Sequence, residues 1–311
     1  MKRARHTIGL VNTPLQLICF NEWCCDNKIK DGIALIRLTS FRSKLVIEEL
    51  IASLQINCEI KYFHCYSRGL NYFLRTIYFF VSAIIGIVAS RQKVIIGEYQ
   101  TSRLNMLIVR LFSPKRFILV DDGFATTSYQ AADDYPVINL FTFFNYLKPK
   151  KEQSIQINSF KHLDSIRKDK KPISFAFIGT DILTINWMGG IDKYFSHLQH
   201  AYRESNENLY YFPKKHGHDF SDLNETIKEN FPKINIIENL LPIEVYLISR
   251  GLYIETLYSH ISSAIATMHY LSLCKNFNVI VNDKLHQNPN SLFILNQIEH
   301  NLKHINFIHV S

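Results

Sequence analysis

Two adjacent carboxylates end an apolar run of strand length. The run from Phe117 to Val120 stops on Asp121, Asp122 and Gly123. Open α/β sheets bind their ligands at the carboxyl ends of their strands, and a carboxylate placed there can act as a general base. The glycine allows the chain to turn sharply after the strand. The same pattern is also typical of a solvated turn or a helix N-cap, so it gains weight only from other residues.

Polar residues of the last third of the chain have the chemistry to bind a nucleotide phosphate. Ser262 and Ser263 precede a predicted helix, whose amides and dipole favour an anion. Lys214 and His216 add charge-assisted donors, and an imidazole can protonate a departing phosphate. Glu244 is suited to accept hydrogen bonds from two ribose hydroxyls. Each residue alone is explained by capping, by surface exposure or by the helix dipole, but together they predict a nucleotide site.

A regular alternation of strands and helices has to position these residues. Ten runs read as strands, and they are Thr7–Val11, Gly32–Leu38, Cys58–His64, Lys93–Ile96, Phe117–Val120, Ile173–Ile178, Leu209–Phe212, Ile234–Ile237, Leu252–Ile254 and Val279–Val281. Segments of helical length and spacing lie between them. Such alternation predicts an α/β fold with two Rossmann-like domains, whose parallel sheets face a central cleft.

A basic, polar stretch divides the two predicted domains. Residues 1–150 form the first domain, residues 151–172 a linker, and residues 173–311 the second domain. Gly179 and Thr180 follow the first strand of the second domain and could offer backbone amides to a phosphate, although an ordinary turn has the same pattern. The glycine fingerprint of dinucleotide-binding folds and the Walker A loop are both absent, which argues against a nicotinamide enzyme or a P-loop ATPase.

Composition limits the partner and the compartment. The 311 residues are 47% hydrophobic and carry a net charge of +8, so a folded protein with an anionic partner is expected. Six cysteines, two of them adjacent, show no zinc spacing and indicate reduced thiols in the cytoplasm. The basic start lacks a cleavage site of the signal-peptide type. The apolar stretch Tyr78–Ala89 is too short to span a bilayer, and a buried helix is predicted, with a helix lying on a membrane surface as the alternative.

The order of the short motifs resembles the bacterial sialyltransferases, most closely the lipooligosaccharide sialyltransferases of glycosyltransferase family 52. The motifs are Asp-Asp-Gly at 121–123, Lys-x-His at 214–216, Pro-Ile-Glu at 242–244 and Ser-Ser at 262–263. Thr-Pro-Leu-Gln at 13–16 is also similar to that family. Gly217 departs from the family, which has proline there, and this leaves the choice between His216 and His218 open.

The resemblance implies a GT-B-like fold and an inverting, metal-independent sialyltransferase. Sialic acid would move from CMP-sialic acid to a terminal galactoside of a lipooligosaccharide or related surface glycan. Asp121 would be the base and His216 the group that stabilises the leaving phosphate. Ser262 and Ser263 would bind the phosphate, and Glu244 the ribose. The acceptor is expected to contact the first domain, where Asn12, Gln16 and Gln100 lie at predicted strand ends, although ordinary capping explains these three equally well. Asp122 is expected to support the turn and to lie beside the acceptor. The resemblance implies no cofactor. It implies a cytoplasmic enzyme in peripheral contact with the inner membrane face.

Three alternatives stay open at this point. A hexosyltransferase of the same family would keep the fold and use another nucleotide sugar. A metal hydrolase could use His216, His218 and Asp219, but no third distant ligand stands out. A nucleic-acid-binding protein would explain the charge, yet the basic residues are scattered and not interleaved with aromatic ones, so no nucleic-acid partner is predicted.

Overall fold

The computed structural model describes residues 6–56, 58–66, 69–90, 92–169, 171–180, 182–214, 221–282 and 287–309. The chain forms two compact units, Met1–Ser165 and Ile166–Ser311. The prediction of two Rossmann-like α/β domains with parallel sheets is confirmed, because the strand pairs within each unit are parallel and joined by helical crossovers.

The first unit has a seven-stranded sheet in the order β3-β2-β1-β4-β5-β6-β7. Its strands are β1 (Thr7–Val11), β2 (Gly32–Leu38), β3 (Glu59–His64), β4 (Val94–Ile96), β5 (Phe117–Val120), β6 (Asn139–Thr142) and β7 (Ile155–Ile157). Its helices are α1 (Pro14–Asp26), α2 (Phe41–Leu54), α3 (Leu70–Ala89), α4 (Arg103–Leu111), α5 (Phe124–Ala131) and α6 (Lys161–Ser165), with a 3-10 turn at Pro114–Arg116.

The second unit has a six-stranded sheet in the order β10-β9-β8-β11-β12-β13. Its strands are β8 (Lys171–Ile178), β9 (Tyr210–Phe212), β10 (Asn235–Ile236), β11 (Leu252–Ser259), β12 (Cys274–Val281) and β13 (Ile305–His309). Its described helices are α7 (Ile182–Met188), α8 (Ile191–Glu204), α9 (Ser221–Asn230), α10 (Ile243–Arg250), α11 (Ser263–Tyr270) and α12 (Pro289–Asn301).

Each sheet reverses its strand order at one place. In the first unit the chain builds outward from β1 through β2 to β3 and then returns to the other side of β1 with β4. In the second unit β11 returns in the same way to the free side of β8. A crevice forms at such a reversal because the helices on its two sides lie on opposite faces of the sheet. Residues that follow β1, β4, β8 and β11 are therefore the ones best placed to bind a ligand.

The start of α1 is fixed by its sequence. Thr13 accepts a hydrogen bond from the backbone N–H of Gln16, and the Gln16 side chain accepts one in return from Thr13, a capping box with Pro14 at the first helical position. Gln16 also accepts a hydrogen bond from the Asn12 backbone at 2.8 Å. These contacts fix the chain where it leaves β1.

The predicted linker is wrong over most of its length. Residues 155–157 are the edge strand of the first sheet, paired with β6. Helix α6 is held to α1 by hydrogen bonds from the backbone of His162 and Leu163 to the carboxylate of Glu22. Residues 151–165 therefore belong to the first unit, and the next strand already begins at Lys171.

The prediction that the apolar stretch ending at Ala89 is buried is also wrong. The stretch is part of the 20-residue helix α3, of which only Phe79, Ala83 and Ile87 are buried. By length and composition this helix could cross a membrane, but its buried residues join the core against the sheet.

Candidate active site

Polar side chains bridge the strand-order reversal of the first unit. Asn12 follows β1 and donates a hydrogen bond to the Glu98 carboxylate, which follows β4, at 2.6 Å between Nδ2 and Oε2. Thr101 donates to the other oxygen of Glu98, and the guanidinium of Arg37 lies 3.8 Å from Oε2. All three charged or amide groups are half-buried. A hydrogen-bonded carboxylate beside a guanidinium thus occupies the place where this sheet should bind a ligand.

Asp122 lies beside this group and is half-buried. Its backbone N–H donates to Thr126 Oγ1 at 3.0 Å, and the side chains of Gln16 and Thr13 approach its carboxylate. Burial, together with the nearby Glu98 carboxylate, raises the pKa of Asp122 to about 6, while hydrogen bonds from Gln16 and Thr13 oppose the shift. Asp122 lines a small crevice together with Glu98 and Gln100. A carboxylate that titrates near neutral pH and borders a crevice can serve as a base.

Asp121 has a different environment. Its side chain is fully buried, and it accepts hydrogen bonds from Thr142 Oγ1 and from the Phe143 backbone, both at 2.7 Å. Burial raises the pKa of Asp121 to about 7, although these hydrogen bonds oppose the shift. A base must touch the hydroxyl that it deprotonates, and in this conformation Asp121 instead ties β5 to the end of β6. The geometry speaks against the predicted role of Asp121 as the base and favours its neighbour.

Gly97 explains how Gln16 reaches this edge of the sheet. Any Cβ at position 97 would overlap the side-chain amide of Gln16. Gly123 turns the chain after β5 with a φ of +63°, as its position in the sequence predicted. The two glycines therefore bring β4, β5 and the start of α1 close together.

The second unit places its predicted ligands around α11. Ser262 is the N-cap, and its hydroxyl accepts from the backbone of Ala264 at 3.3 Å, while Ser263 is exposed at the first helical position. Thr267 of the same helix donates a hydrogen bond to Glu244 at the start of α10. Burial raises the pKa of Glu244. The structure thus joins Glu244 to the helix that Ser262 begins. Glu244 lies on the helix before β11, and the two serines lie just after that strand.

The predicted role of the Gly179 and Thr180 amides is wrong. The Gly179 amide donates to the carbonyl of Phe212 at 2.9 Å, and the Thr180 amide donates to the hydroxyl of Tyr194. Tyr194 and Tyr211 share a hydrogen bond of 2.8 Å between their hydroxyls, and a Cβ at position 179 would overlap that of Tyr211. The glycine is needed for this packing, and both amides are already engaged.

Sequence reasoning missed a buried pair of histidines. His260 follows β11, and its Nε2 lies 2.9 Å from Nδ1 of His197 on α8. Both side chains are buried, and burial lowers the pKa of His197 to about 4 and that of His260 to about 3. The pair is neutral near pH 7 and fixes the segment between β11 and Ser262. Its two members are 63 residues apart in the sequence, so no local sequence pattern predicts their contact.

Glu98 could have been found from the sequence. It follows an apolar strand after a single glycine, and the reasoning about strand ends that singled out Asp121 applies to it as well. Arg37 lies inside β2 and carries no such signal. Of the remaining predicted residues, Lys214 lies two residues after β9, and His216, His218 and Asp219 lie outside the described residues. Within the described part of the chain, no group of three or more His, Cys, Asp or Glu side chains is placed to hold a metal ion.

Comparison with known proteins gives structural neighbours only. No protein-family model matches the sequence, and no curated protein matches it. Among solved structures, the match to MurG of Acinetobacter baumannii covers 98% of this chain and 86% of the MurG chain, with 10% sequence identity and a TM-score of 0.48. Arabidopsis thaliana UGT89C1 in complex with UDP-L-rhamnose covers 99% and 87%, with 11% identity and a TM-score of 0.49.

Proposed function

We propose that the protein is a glycosyltransferase that moves a sugar from a nucleotide-sugar donor to the hydroxyl of a glycan. The observation that carries the proposal is that each sheet has polar residues at its strand-order reversal, of complementary chemistry in the two units. The first unit offers carboxylates and amides, which suit a sugar acceptor and its proton. The second offers serine hydroxyls and a helix start, which suit a phosphate.

The donor of this proposal is CMP-sialic acid, and the acceptor a terminal galactoside of a surface glycan. The motif order that resembles the family 52 sialyltransferases supports this choice. Transfer would invert the anomeric carbon, because the acceptor oxygen forms its bond on the face opposite the departing CMP. No metal is needed in this proposal, since hydroxyls and cations would stabilise the charge that develops on the single phosphate.

Asp122 takes the acceptor proton in this proposal. The carboxylate borders the crevice, and a pKa of about 6 leaves it ionised at pH 7 to 8 while keeping it basic enough to be effective. Glu98, Asn12, Gln16 and Gln100 would orient the acceptor hydroxyls beside it. Glu244 would bind the ribose, and Lys214 and His216 would contact the leaving phosphate.

The test compares three aspartate variants in a transfer assay. Asp122→Asn is expected to lower kcat at least 100-fold, since a general base contributes roughly 10² to 10⁴ in rate. Asp121→Asn should keep a measurable rate if it folds, and Asp133→Asn, an exposed acid of the first unit, is the matched control. The kcat/KM of the wild type should fall below about pH 6 as Asp122 is protonated. Full activity of Asp122→Asn would overturn the assignment.

The donor is tested separately by thermal shift with CMP, CDP, UMP and UDP. A sialyltransferase should be stabilised most by the cytidine nucleotides, and Ser263→Ala and Glu244→Gln should weaken that stabilisation. Preference for uridine nucleotides would replace the sialyltransferase with a hexosyltransferase. Stabilisation by none of the four would contradict both a cytidine and a uridine donor.

A further inference from the structure

One face of the first unit exposes apolar side chains to an unusual degree. Nine of the 17 large hydrophobic side chains that are exposed in the described residues belong to α3, and Leu107 and Leu111 of α4 add two more. The nine are Leu70, Tyr72, Phe73, Leu74, Ile77, Tyr78, Val81, Ile85 and Val88. Single exposed hydrophobic residues are ordinary, but a contiguous patch on one helix pair marks an interaction surface.

Helices α3 and α4 lie on the same face of the sheet. Both connect strands in the same direction across the sheet, and right-handed crossovers then place them on one side. Phe79 and Ala83 of α3 share a core with Ile108 and Val109 of α4. Arg116, which follows α4, donates hydrogen bonds to carbonyls at the end of α3. The outward stripes of the two helices therefore form one surface.

The charged side chains of the two helices are all cations. Residues 60–120 contain nine lysines and arginines, of which Lys61 is paired with Glu59 and Lys115 with Glu152, and one acid, Glu98, whose carboxylate is bonded to Asn12. On α4, Arg103 and Arg110 are exposed beside Leu107 and Leu111, and α3 exposes Arg75. Neither helix contains an acid. The surface is thus apolar, aromatic and cationic.

We propose that the outward faces of α3 and α4 are a docking surface for an anionic membrane, on which α3 lies in the plane of the interface. A bilayer takes apolar and aromatic side chains at the level of its headgroups, and anionic lipids neutralise the arginines. A second copy of the chain fits less well, because a two-fold interface would bury Arg103 and Arg110 of both copies without acids to pair them. α3 does not cross the bilayer, since its buried stripe is part of the core of the unit.

The proposal does not rest on the proposed function, because vesicle binding is measured without donor or acceptor. The full chain is sedimented with vesicles of phosphatidylcholine alone or with added phosphatidylglycerol. Binding is expected only to the anionic vesicles, and it should weaken as salt rises because the arginines are exposed.

Two pairs of variants test the surface. Arg103→Gln with Arg110→Gln should weaken binding roughly 25-fold, about five-fold for each cation lost. Arg203→Gln with Arg250→Gln, which removes the same charge from exposed positions of the second unit, is the matched control and should not change it. Phe73→Ser with Tyr78→Ser should weaken binding at least ten-fold, whereas Phe41→Ser, 60% exposed on α2, should not.

Several outcomes would overturn the proposal. They are equal binding to neutral vesicles, equal loss in the Arg203/Arg250 control, and a dimer that Phe73→Ser and Tyr78→Ser dissolve without any effect on vesicle binding. Melting temperatures show that the variants are folded. Ile85→Ser with Val88→Ser repeats the apolar test at the other end of α3.

Discussion

Two neighbouring carboxylates can have opposite roles when only one of them faces a crevice. Asp121 and Asp122 have the same side chain and adjacent positions, yet alternate residues of an extended chain point to opposite sides. Asp121 points into the sheet and is held by Thr142 and Phe143, while Asp122 points towards Gln16 and the crevice. The sequence cannot separate the two, because the pattern that marks a strand end applies equally to both.

The buried histidine pair should make the protein sensitive to acid. Burial lowers the pKa of His197 and of His260 below the value of about 6.5 in an unfolded chain. The unfolded state therefore binds protons first as the pH falls, and the free energy of unfolding should decrease between pH 6.5 and pH 4. Above pH 6.5 both states are neutral at these positions, and the effect is absent.

Urea unfolding at several pH values measures this effect. In the variant His197→Gln with His260→Gln, the decrease between pH 6.5 and pH 4 should be smaller, by up to about 1.4 kcal/mol per pH unit for each histidine removed. Asp121 works in the other direction, since its raised pKa stabilises the protein at low pH and the effect is lost as pH rises towards 7. His300→Gln, on α12, is the control. An unchanged slope in the double variant would contradict the assignment.

At the scale of elements, three buried strands were predicted with the bounds that they have in the structure, whereas the buried strand β6 and the edge strands β7 and β13 were missed. β1, β2 and β5 are buried apolar runs, and the sequence predicts them residue for residue. β7 lies at the sheet edge with two of its three residues exposed, so it lacks an apolar run. β11 continues to Ser259. The prediction ended it at Ile254 because Glu255 and Thr256 interrupt the apolar pattern.

Which side of α3 packs against the sheet could not be predicted, because this helix has too many apolar residues and not too few. Apolar residues surround this helix on all sides, so no periodicity tells the buried stripe from the exposed one. The folded structure decides, because only the stripe that meets the sheet is covered. The site had a similar limit: strand ends are visible in the sequence, but the partner of Glu98 or His260 comes from a distant segment.

A double-mutant cycle tests the packing of Gln16 against Gly97. Gly97→Ala should destabilise the protein by about 1–3 kcal/mol, since the new methyl group overlaps the Gln16 side chain. Gln16→Ala removes the obstacle, so the double variant should be more stable than the sum of the single effects by at least 0.5 kcal/mol, as expected for residues in contact.

The matched control for this cycle is Gly86→Ala in α3. A Cβ at position 86 lies 3.4 Å or more from Ile8, and the helical backbone favours alanine over glycine. This variant should be as stable as the wild type or more stable. Additive effects of Gly97→Ala and Gln16→Ala would show that the two residues do not compete for the same space.

At the scale of the molecule, the positive charge is unevenly spread. The net charge of +8 alone is compatible with a nucleic acid, a nucleotide or a membrane. The cations of residues 60–120 accompany exposed apolar side chains and not a groove of aromatic residues suited to stacking. This combination favours a lipid surface for the first unit, and leaves a nucleotide as the anionic partner of the second.

The two units should be separable, because each has its own sheet and its own hydrophobic core. On the two sides of the division, His162 bonds to Glu22 in the first unit and Arg167 to Leu271 in the second. We expect residues 166–311, produced alone, to fold and to be stabilised by CMP. At a ligand concentration 100 times the dissociation constant, the gain would be about 2.7 kcal/mol. Residues 1–165 should fold without responding to CMP and should retain binding to anionic vesicles.

Circular dichroism establishes folding, and thermal shift with CMP and UMP measures the response. A response to CMP in residues 1–165 alone would show that the nucleotide binds the first unit and that its assignment to the second is wrong. A response only in the full chain would mean that residues of both units are needed to bind it.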